Sequence, residues 1–448
     1  MSRIIKKRKI AMASLGCPKN LVDSENMLGI LAERGFEITT DPSEAEIIIV
    51  NTCAFIGDAK EESINKVLEM ADYKKTGKCK YLIMTGCLAE RYHDEIKTEI
   101  PEVDAVCGTG DYYKIADVIK MLDDGKKAVL FGHANECVPE GLERVLSGYP
   151  HSAYLKISEG CDNKCTYCII PKLRGKYRSR TIEDIVSEAK ALAENGVREL
   201  ILIAQDTTRY GIDLFGKYSL DRLLKELVKI DKIKWIRLHY CYPEAITDEL
   251  LQTIKENEKI CNYLDMPIQH INDEVLKRMG RQSTSKQIKD LILKIRKTVP
   301  DMVIRTSLIA GFPGETKEQA EELLEFLKQA RLDRVGVFSY SREEGTAADL
   351  LDGHLDEETK NKRRDVAMEI SKQISAEKNK EKLGSVIEVM CDGFDSECML
   401  YRGRSRGDSI LIDSNVYFGA EFEAEPGSIV NVKILDCDEY DLYGEAVK

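Results

Sequence analysis

The stretch Glu159-Gly160-Cys161-Asp162-Asn163-Lys164-Cys165-Thr166-Tyr167-Cys168 sets three thiols at C-x3-C-x2-C spacing on a glycine-led loop. Thiolates spaced this way can each take a different iron at one corner of a four-iron, four-sulfur cube. A closed ferredoxin-type cluster finds its fourth thiolate nearby, yet here Pro171 stands where such a run would end and the next cysteine is Cys241. One iron is therefore left open, and an open metal position is where a substrate or cofactor binds, as in catalytic rather than structural metal sites. A zinc knuckle is the structural alternative. Zinc takes four closed ligands from paired Cys/His sets, and no second pair with that spacing lies near Cys161.

Outward from this loop, short apolar runs alternate with helical periodicity. Strands are expected at 153–158, 198–204, 234–239, 263–268, 302–309 and 334–339, with helices beginning near Thr181, Ser219, Thr247, Asn272 or Ser285, and Lys317. Six such units predict a partial (β/α)6 barrel with its chemistry at the carboxyl ends of the strands. The cluster loop follows the first strand. Polar or glycine-rich groups close later ones: Gln205-Asp206, Gln269, and Gly311-Phe312-Pro313-Gly314-Glu315. Arg174, Arg178 and Arg180, just past the loop, read either as a solvated basic face or as forks for a carboxylate.

Upstream, β-branched runs at 10–15, 46–51, 80–85, 103–107 and 127–131 alternate with helical segments, which predicts a doubly wound parallel α/β domain. Cys17, Cys53 and Cys87 follow its first three strands, at the edge where such sheets bind ligands. A single buried cysteine is ordinary. Three at equivalent strand ends suggest a second three-thiolate cluster. Downstream, a charged helix over 356–383 leads to short strands at 385–391, 398–403, 409–413, 429–436 and 441–446, a small antiparallel β-barrel. The expected organisation is thus an N-terminal domain (1–131), a linker (132–150), a central barrel (151–383) and a C-terminal barrel (384–448).

With Tyr167 just before its last cysteine, the loop resembles the radical S-adenosylmethionine superfamily, whose cofactor chelates the open iron through its amino and carboxylate groups. Ser14-Leu15-Gly16-Cys17-Pro18-Lys19-Asn20-Leu21-Val22-Asp23-Ser24-Glu25, Asn51-Thr52-Cys53 and Thr85-Gly86-Cys87 are similar to the N-terminal domain of methylthiotransferases. One branch of these modifies a tRNA adenosine. The other, the RimO family, methylthiolates an aspartate of a small-subunit ribosomal protein, and the run from Ser14 to Asp23 resembles that branch. The resemblance implies two 4Fe-4S clusters, on Cys161, Cys165 and Cys168 and on Cys17, Cys53 and Cys87. It also implies S-adenosylmethionine contacts from Gln205 and Asp206 (methionyl ammonium), Gln269 (ribose), and Gly311 and Gly314, although Ser307 departs from the superfamily's preceding glycine. The C-terminal barrel resembles the TRAM module. The first cluster would generate a deoxyadenosyl radical, and the second would present the methylthio group to an aspartate β-carbon. A low-potential donor such as flavodoxin or ferredoxin is implied as electron source.

Composition agrees. The chain has 448 residues, 43% hydrophobic and 32% charged, with a net charge of −12, which disfavours nucleic-acid binding by bulk electrostatics and suits a basic protein partner. Residues 384–448 hold fourteen acids against five bases, which sets the TRAM-like module against RNA. Fourteen cysteines without a secretory signal, and no apolar run able to span a bilayer, predict a reduced, cytoplasmic protein with no membrane partner. A tRNA methylthiotransferase and a non-catalytic two-cluster electron carrier are the alternatives.

Overall fold

In the computed structural model, which describes residues 7–132, 134–135 and 138–447, the run Ile47-Ile48-Ile49-Val50 has no exposed surface. Continuous burial on both faces is what a central strand of a parallel sheet requires. The strands are β1 (Lys9–Ser14), β2 (Glu37–Ile38), β3 (Ile47–Thr52), β4 (Tyr81–Gly86), β5 (Ala105–Cys107) and β6 (Ala128–Leu130). They pair in parallel in the order β2-β1-β3-β4-β5-β6. Ile48, Val50, Leu82 and Met84 pack one layer of helices, while Ile47, Ile49 and Ile83 pack Met27, Leu31, Ile115 and Val118 on the other face. The strand order reverses between β1 and β3, the switch point where such sheets open a crevice at their carboxyl ends. The basic residues before Lys7 and Cys137 of the linker lie outside the described residues.

The second sheet is also parallel, in the order β14-β13-β12-β11-β10-β7. It comprises β7 (Ser152–Lys156), β10 (Glu199–Ile203), β11 (Trp235–Leu238), β12 (Ile260–Asp265), β13 (Val303–Ala310) and β14 (Arg334–Ser339). Between the first two, β8 (Ser158–Glu159) and β9 (Arg178–Ser179) pair across the base of the cluster loop. The helices start where their caps dictate: Thr181, Thr247, Asn272, Thr284 and Thr316 each accept a first-turn backbone N–H. The fourth barrel strand begins at Ile260, three residues before the expected 263. The half-exposed Asn262 interrupts the apolar run where the pairing with β11 shifts register between Ile260 and Leu264, and Pro267, with no N–H to donate, lies beyond the strand's end.

The helix Glu357–Glu381 leads to a closed barrel, β15 (Val386–Asp395), β16 (Leu400–Ser405), β17 (Val416–Gly419), β18 (Ile429–Cys437) and β19 (Leu442–Ala446). It is antiparallel except that β17 pairs with β19 in parallel. The strand expected at 409–413 is a turn instead, captured by the central domain. Ser409 bonds His239 at 2.8 Å, Tyr263 donates to Asp413 at 2.7 Å, Arg334 donates to Asp408 at 2.7 Å, and Ile410 packs on Tyr154, Ile201 and Ile203. Buried Arg404 reaches Glu199 at 2.7 Å, and Glu199 also accepts from Arg237. The C-terminal module therefore closes the inner face of the open barrel. The side chains of Asp392, paired with Arg404, and of Asp408 and Asp413 are buried, so three of the fourteen carboxylates do not contribute to its surface charge.

Candidate active site

The Cys161–Cys168 loop is shaped by glycine and stapled by one carboxylate. Gly160 has φ +78°, and a Cβ there would collide with the carbonyl of Lys176. Cys161 N–H donates to Gly175 O at 3.0 Å, and Cys168 N–H to Cys165 O at 3.1 Å. Asp206, at the end of β10, accepts from Asn163 Nδ2 (2.9 Å), Thr208 Oγ1 (2.9 Å) and Arg209 N–H (3.2 Å). Its carboxylate therefore holds the loop. Burial pushes the Cys161 and Cys168 thiols up to about 12. Arg281 brings Nη1 to 3.9 Å from Cys165 Sγ, with its guanidinium 4.3 Å from the Tyr242 ring centroid.

The second triad follows the same logic. Cys17, Cys53 and Cys87 come just after β1, β3 and β4, three adjacent strands astride the switch point. Gly16 (φ +83°) and Gly86 (φ +91°) precede two of them, and a Cβ on Gly16 would lie 2.6 Å from Cys53 Cβ. The Cys53 backbone is held by Ser63, whose hydroxyl accepts its N–H at 2.9 Å and donates to its carbonyl at 3.0 Å. Asn20 Nδ2 ties Leu15 O to Thr52 O. Burial raises the Cys53 thiol and pushes Cys87 up to about 12, with the Cys17 and Cys53 thiols adding to the rise at Cys87.

One joint links the loop of the first triad to the domain that carries the second. Arg174, only 3% exposed, donates to Asp23 (2.7 Å), Asn20 (2.5 Å) and Glu159 (3.1 Å), and its Nη2 lies 3.9 Å from Cys87 Sγ. Lys156 pairs with Asp23 and, at 2.8 Å, with Glu159. Arg174 is thus neither a solvated face nor an open fork but the pin between the two domains. A second joint closes the other side: Glu343, buried after β14, accepts from Lys60 (2.8 Å) and Arg91 (2.9 Å) of the N-terminal domain.

The remaining candidates lie at the carboxyl ends of the barrel strands. Gln205 donates to Glu159 at 2.6 Å, while its Oε1 is buried with no partner, an acceptor left for a cation. Gln269 sits at φ +70°, unusual for a side-chain-bearing residue, pinned by its bridge to Leu308. Gly311 (φ +75°) and Gly314 (φ +74°) admit the Lys360 and Arg278 side chains, and Glu315 accepts the N–H groups of Gly311 and Phe312. The sequence reading missed Lys19, Asp23, Glu159, Tyr240 and Arg281 as parts of the site. The first three lie within the quoted motifs. Tyr240 and Arg281 carry no local signal.

The donor set fits iron-sulfur clusters. Among the described residues no three His, Cys, Asp or Glu side chains are grouped to hold a single metal ion, whereas a cube takes each thiolate on a different iron. Buried thiols with raised pKa values stay neutral unless a metal displaces the proton, and the guanidiniums near Cys87 and Cys165 can donate to ligand sulfurs.

Fold and site together define a radical S-adenosylmethionine enzyme. Residues 155–327 match the radical SAM superfamily, residues 9–108 an otherwise uncharacterised family designated UPF0004, and residues 383–447 the TRAM domain. A solved radical S-adenosylmethionine methyltransferase, TsrM from Kitasatospora setae, shares the fold at TM-score 0.56 and 14% identity over 76% of this chain and 77% of that one. The ribosomal protein uS12 methylthiotransferase RimO of Clostridioides difficile (strain 630) is 52% identical over 439 residues, 98% of this chain and 99% of its own. That of Thermoanaerobacter sp. (strain X514) is 50% identical over 438 residues, 98% and 100% of the two chains. The chain belongs to the RimO family of ribosomal protein methylthiotransferases. Among the described residues no helix is long and apolar enough to cross a membrane.

Proposed function

We propose that this protein replaces a hydrogen on an aspartate β-carbon of ribosomal protein uS12 with a methylthio group, the substrate being taken free or on the ribosome. The observation that carries this reading is the pair of three-cysteine sets, one on a single loop and one on three adjacent strand ends, joined through Arg174. Cys161, Cys165 and Cys168 would hold one 4Fe-4S cluster and Cys17, Cys53 and Cys87 the other. Bound there, the clusters supply the electron that cleaves S-adenosylmethionine and the sulfur group that the substrate carbon receives.

The chain's own residues position and shield. Asp206 fixes the first loop through Asn163, Gln205 offers its free Oε1 to the methionyl ammonium, and Gln269 would border the nucleoside end with Gly311 and Gly314, against which Lys360 and Arg278 already pack. The joints at Arg174 and Glu343 keep the domains closed, so that water and stray hydrogen donors stay out of the chamber. A low-potential flavodoxin or ferredoxin would deliver electrons, and the acidic surface would favour a basic protein over RNA. The parts are proposed as residues 1–131, 151–383 and 384–448 joined by 132–150.

The test is anaerobic reconstitution followed by iron analysis and mass spectrometry of uS12 and of tRNA incubated with the enzyme. The expected result is two clusters per chain and a methylthio group on uS12 alone. Cys87→Ala should keep one cluster and lose the product. Modified tRNA, or normal uS12 product from Cys87→Ala, would overturn the proposal.

A further inference from the structure

Most buried cations near the two triads are paired with carboxylates. Arg174 and Lys156 share Asp23 and Glu159, and Arg144 holds Glu25 and Glu188. Arg281 has no carboxylate among the described residues either, but its guanidinium is held by Pro267 O, Cys165 and the Tyr242 ring. Lys19 is different. It is 8% exposed and lies two residues past Cys17, at the start of the helix Pro18–Glu33. Among the described residues it has no carboxylate partner. Its ammonium rests 3.4 Å from the centroid of the Tyr240 ring.

A buried cation without an anion is costly, and an aromatic face offsets only part of that cost. Such a group is left in place where an anion arrives later. The rest itself is built rather than incidental. Tyr240 follows β11 at φ +57°, a conformation that side-chain-bearing residues avoid. It is held there by Asp265, which accepts its N–H at 3.1 Å, and by Thr207, whose N–H donates to its carbonyl at 3.0 Å. The N-terminus of a sixteen-residue helix adds positive potential at the same point. The ammonium also lies near both triads: Lys19 is two residues past Cys17, and its ring partner Tyr240 is two residues before Tyr242, whose hydroxyl lies 4.0 Å from Cys165 Sγ.

We propose that Lys19 receives the side-chain carboxylate of the substrate aspartate and so fixes the neighbouring β-carbon between the two cysteine sets. This rests on the aspartate reading of the preceding section. The carboxylate carbon is bonded directly to the reacting carbon, so one ion pair holds the reacting atom in place. Two other anions compete for Lys19: the methionyl carboxylate of S-adenosylmethionine, and the cluster on Cys17 itself.

The experiment measures binding of a uS12 fragment carrying the modified aspartate, and of the same fragment with asparagine there, to cluster-loaded enzyme. S-adenosylmethionine affinity is measured alongside. The unsubstituted enzyme should bind the aspartate form about tenfold to a hundredfold more tightly, as expected for losing a buried charge-assisted contact. Lys19→Met should bind both forms alike, and Lys19→Arg should retain a preference for aspartate. Unchanged discrimination in Lys19→Met overturns the proposal, whether S-adenosylmethionine affinity falls instead (the methionyl carboxylate as ligand) or iron content falls instead (the cluster as ligand). If Lys19→Met does not load iron, absence of aspartate preference in the unsubstituted enzyme or in Lys19→Arg overturns it as well. Failure of the unsubstituted enzyme to modify uS12 at all would instead refute the functional reading.

Discussion

Replacing Arg174 with Met removes the pin between the two thiol-bearing domains. The guanidinium is buried and bonded to Asp23, Asn20 and Glu159. Although burial pushes the Glu159 carboxyl up, Arg174 and Lys156 together hold it well below the usual carboxylate range. Removing one partner of a buried ion pair costs about 3–5 kcal/mol because the other charge is stranded. Here Lys156 remains, 2.8 Å from Glu159 and paired with Asp23, so the lower end of about 3 kcal/mol applies. That corresponds to about a hundredfold larger opening constant for the joint.

Hydrogen exchange of the cluster-free protein reads this directly. Protection should fall by about that factor in the helix Pro18–Glu33 and in the loop from Cys161 to Tyr177, and stay unchanged in the helix Glu357–Glu381, which lies outside the joint. Adding Asp23→Asn should restore about half of the loss, since the stranded carboxylate is then gone. Unchanged protection in Arg174→Met, or strictly additive losses in the double variant, would refute the pin.

Two further predictions concern the barrel and its C-terminal plug. Arg404→Met removes the cation that Glu199 and Asp392 share, leaving Glu199 with Arg237 and Asp392 with His151, so the inner face should open at about 3 kcal/mol lower free energy, the lower end for a broken buried pair. Fluorescence of Trp235, the chain's only tryptophan and a buried neighbour of Met390, should redden at lower urea; an unchanged midpoint would count against the plug. His239 bonds Ser409, and burial lowers its pKa from 6.5 to about 3, so the folded state refuses a proton that the unfolded chain accepts below 6.5. Stability is therefore complete above about pH 6.5 and falls towards pH 3, with about 2 kcal/mol lost to this residue at pH 5. His239→Gln should remove that part of the acid sensitivity, and an identical pH profile would exclude the assignment.

The elements were legible because their signals are local. The buried run from Ile47 to Val50 declares a central strand, and threonine and asparagine caps mark the helix starts. Glycines at 16, 86 and 160 stand before cysteines at strand ends. The turn at 409–413 misled because its pattern is strand-like in isolation. Its residues are instead fixed by His239, Tyr263, Arg305 and Arg334, all contributed by another domain.

The same distinction separates what the sequence tells of the site from what it withholds. A cysteine triad on one loop, or on equivalent strand ends, is a spacing, and spacing is written along the chain. Docking of the domains is written in charge pairs between distant residues: Arg174 with Asp23, Glu343 with Lys60 and Arg91, Arg404 with Glu199. Each partner looks like an ordinary surface charge until the fold buries it, and a buried charge is tolerated only when its partner arrives from the other side. Lys19 follows by subtraction. Of the buried cations near the triads among the described residues, Arg281 is held by a carbonyl, a thiol and a ring, whereas Lys19, two residues past Cys17, rests only on the Tyr240 ring, which is where a substrate carboxylate would complete the set.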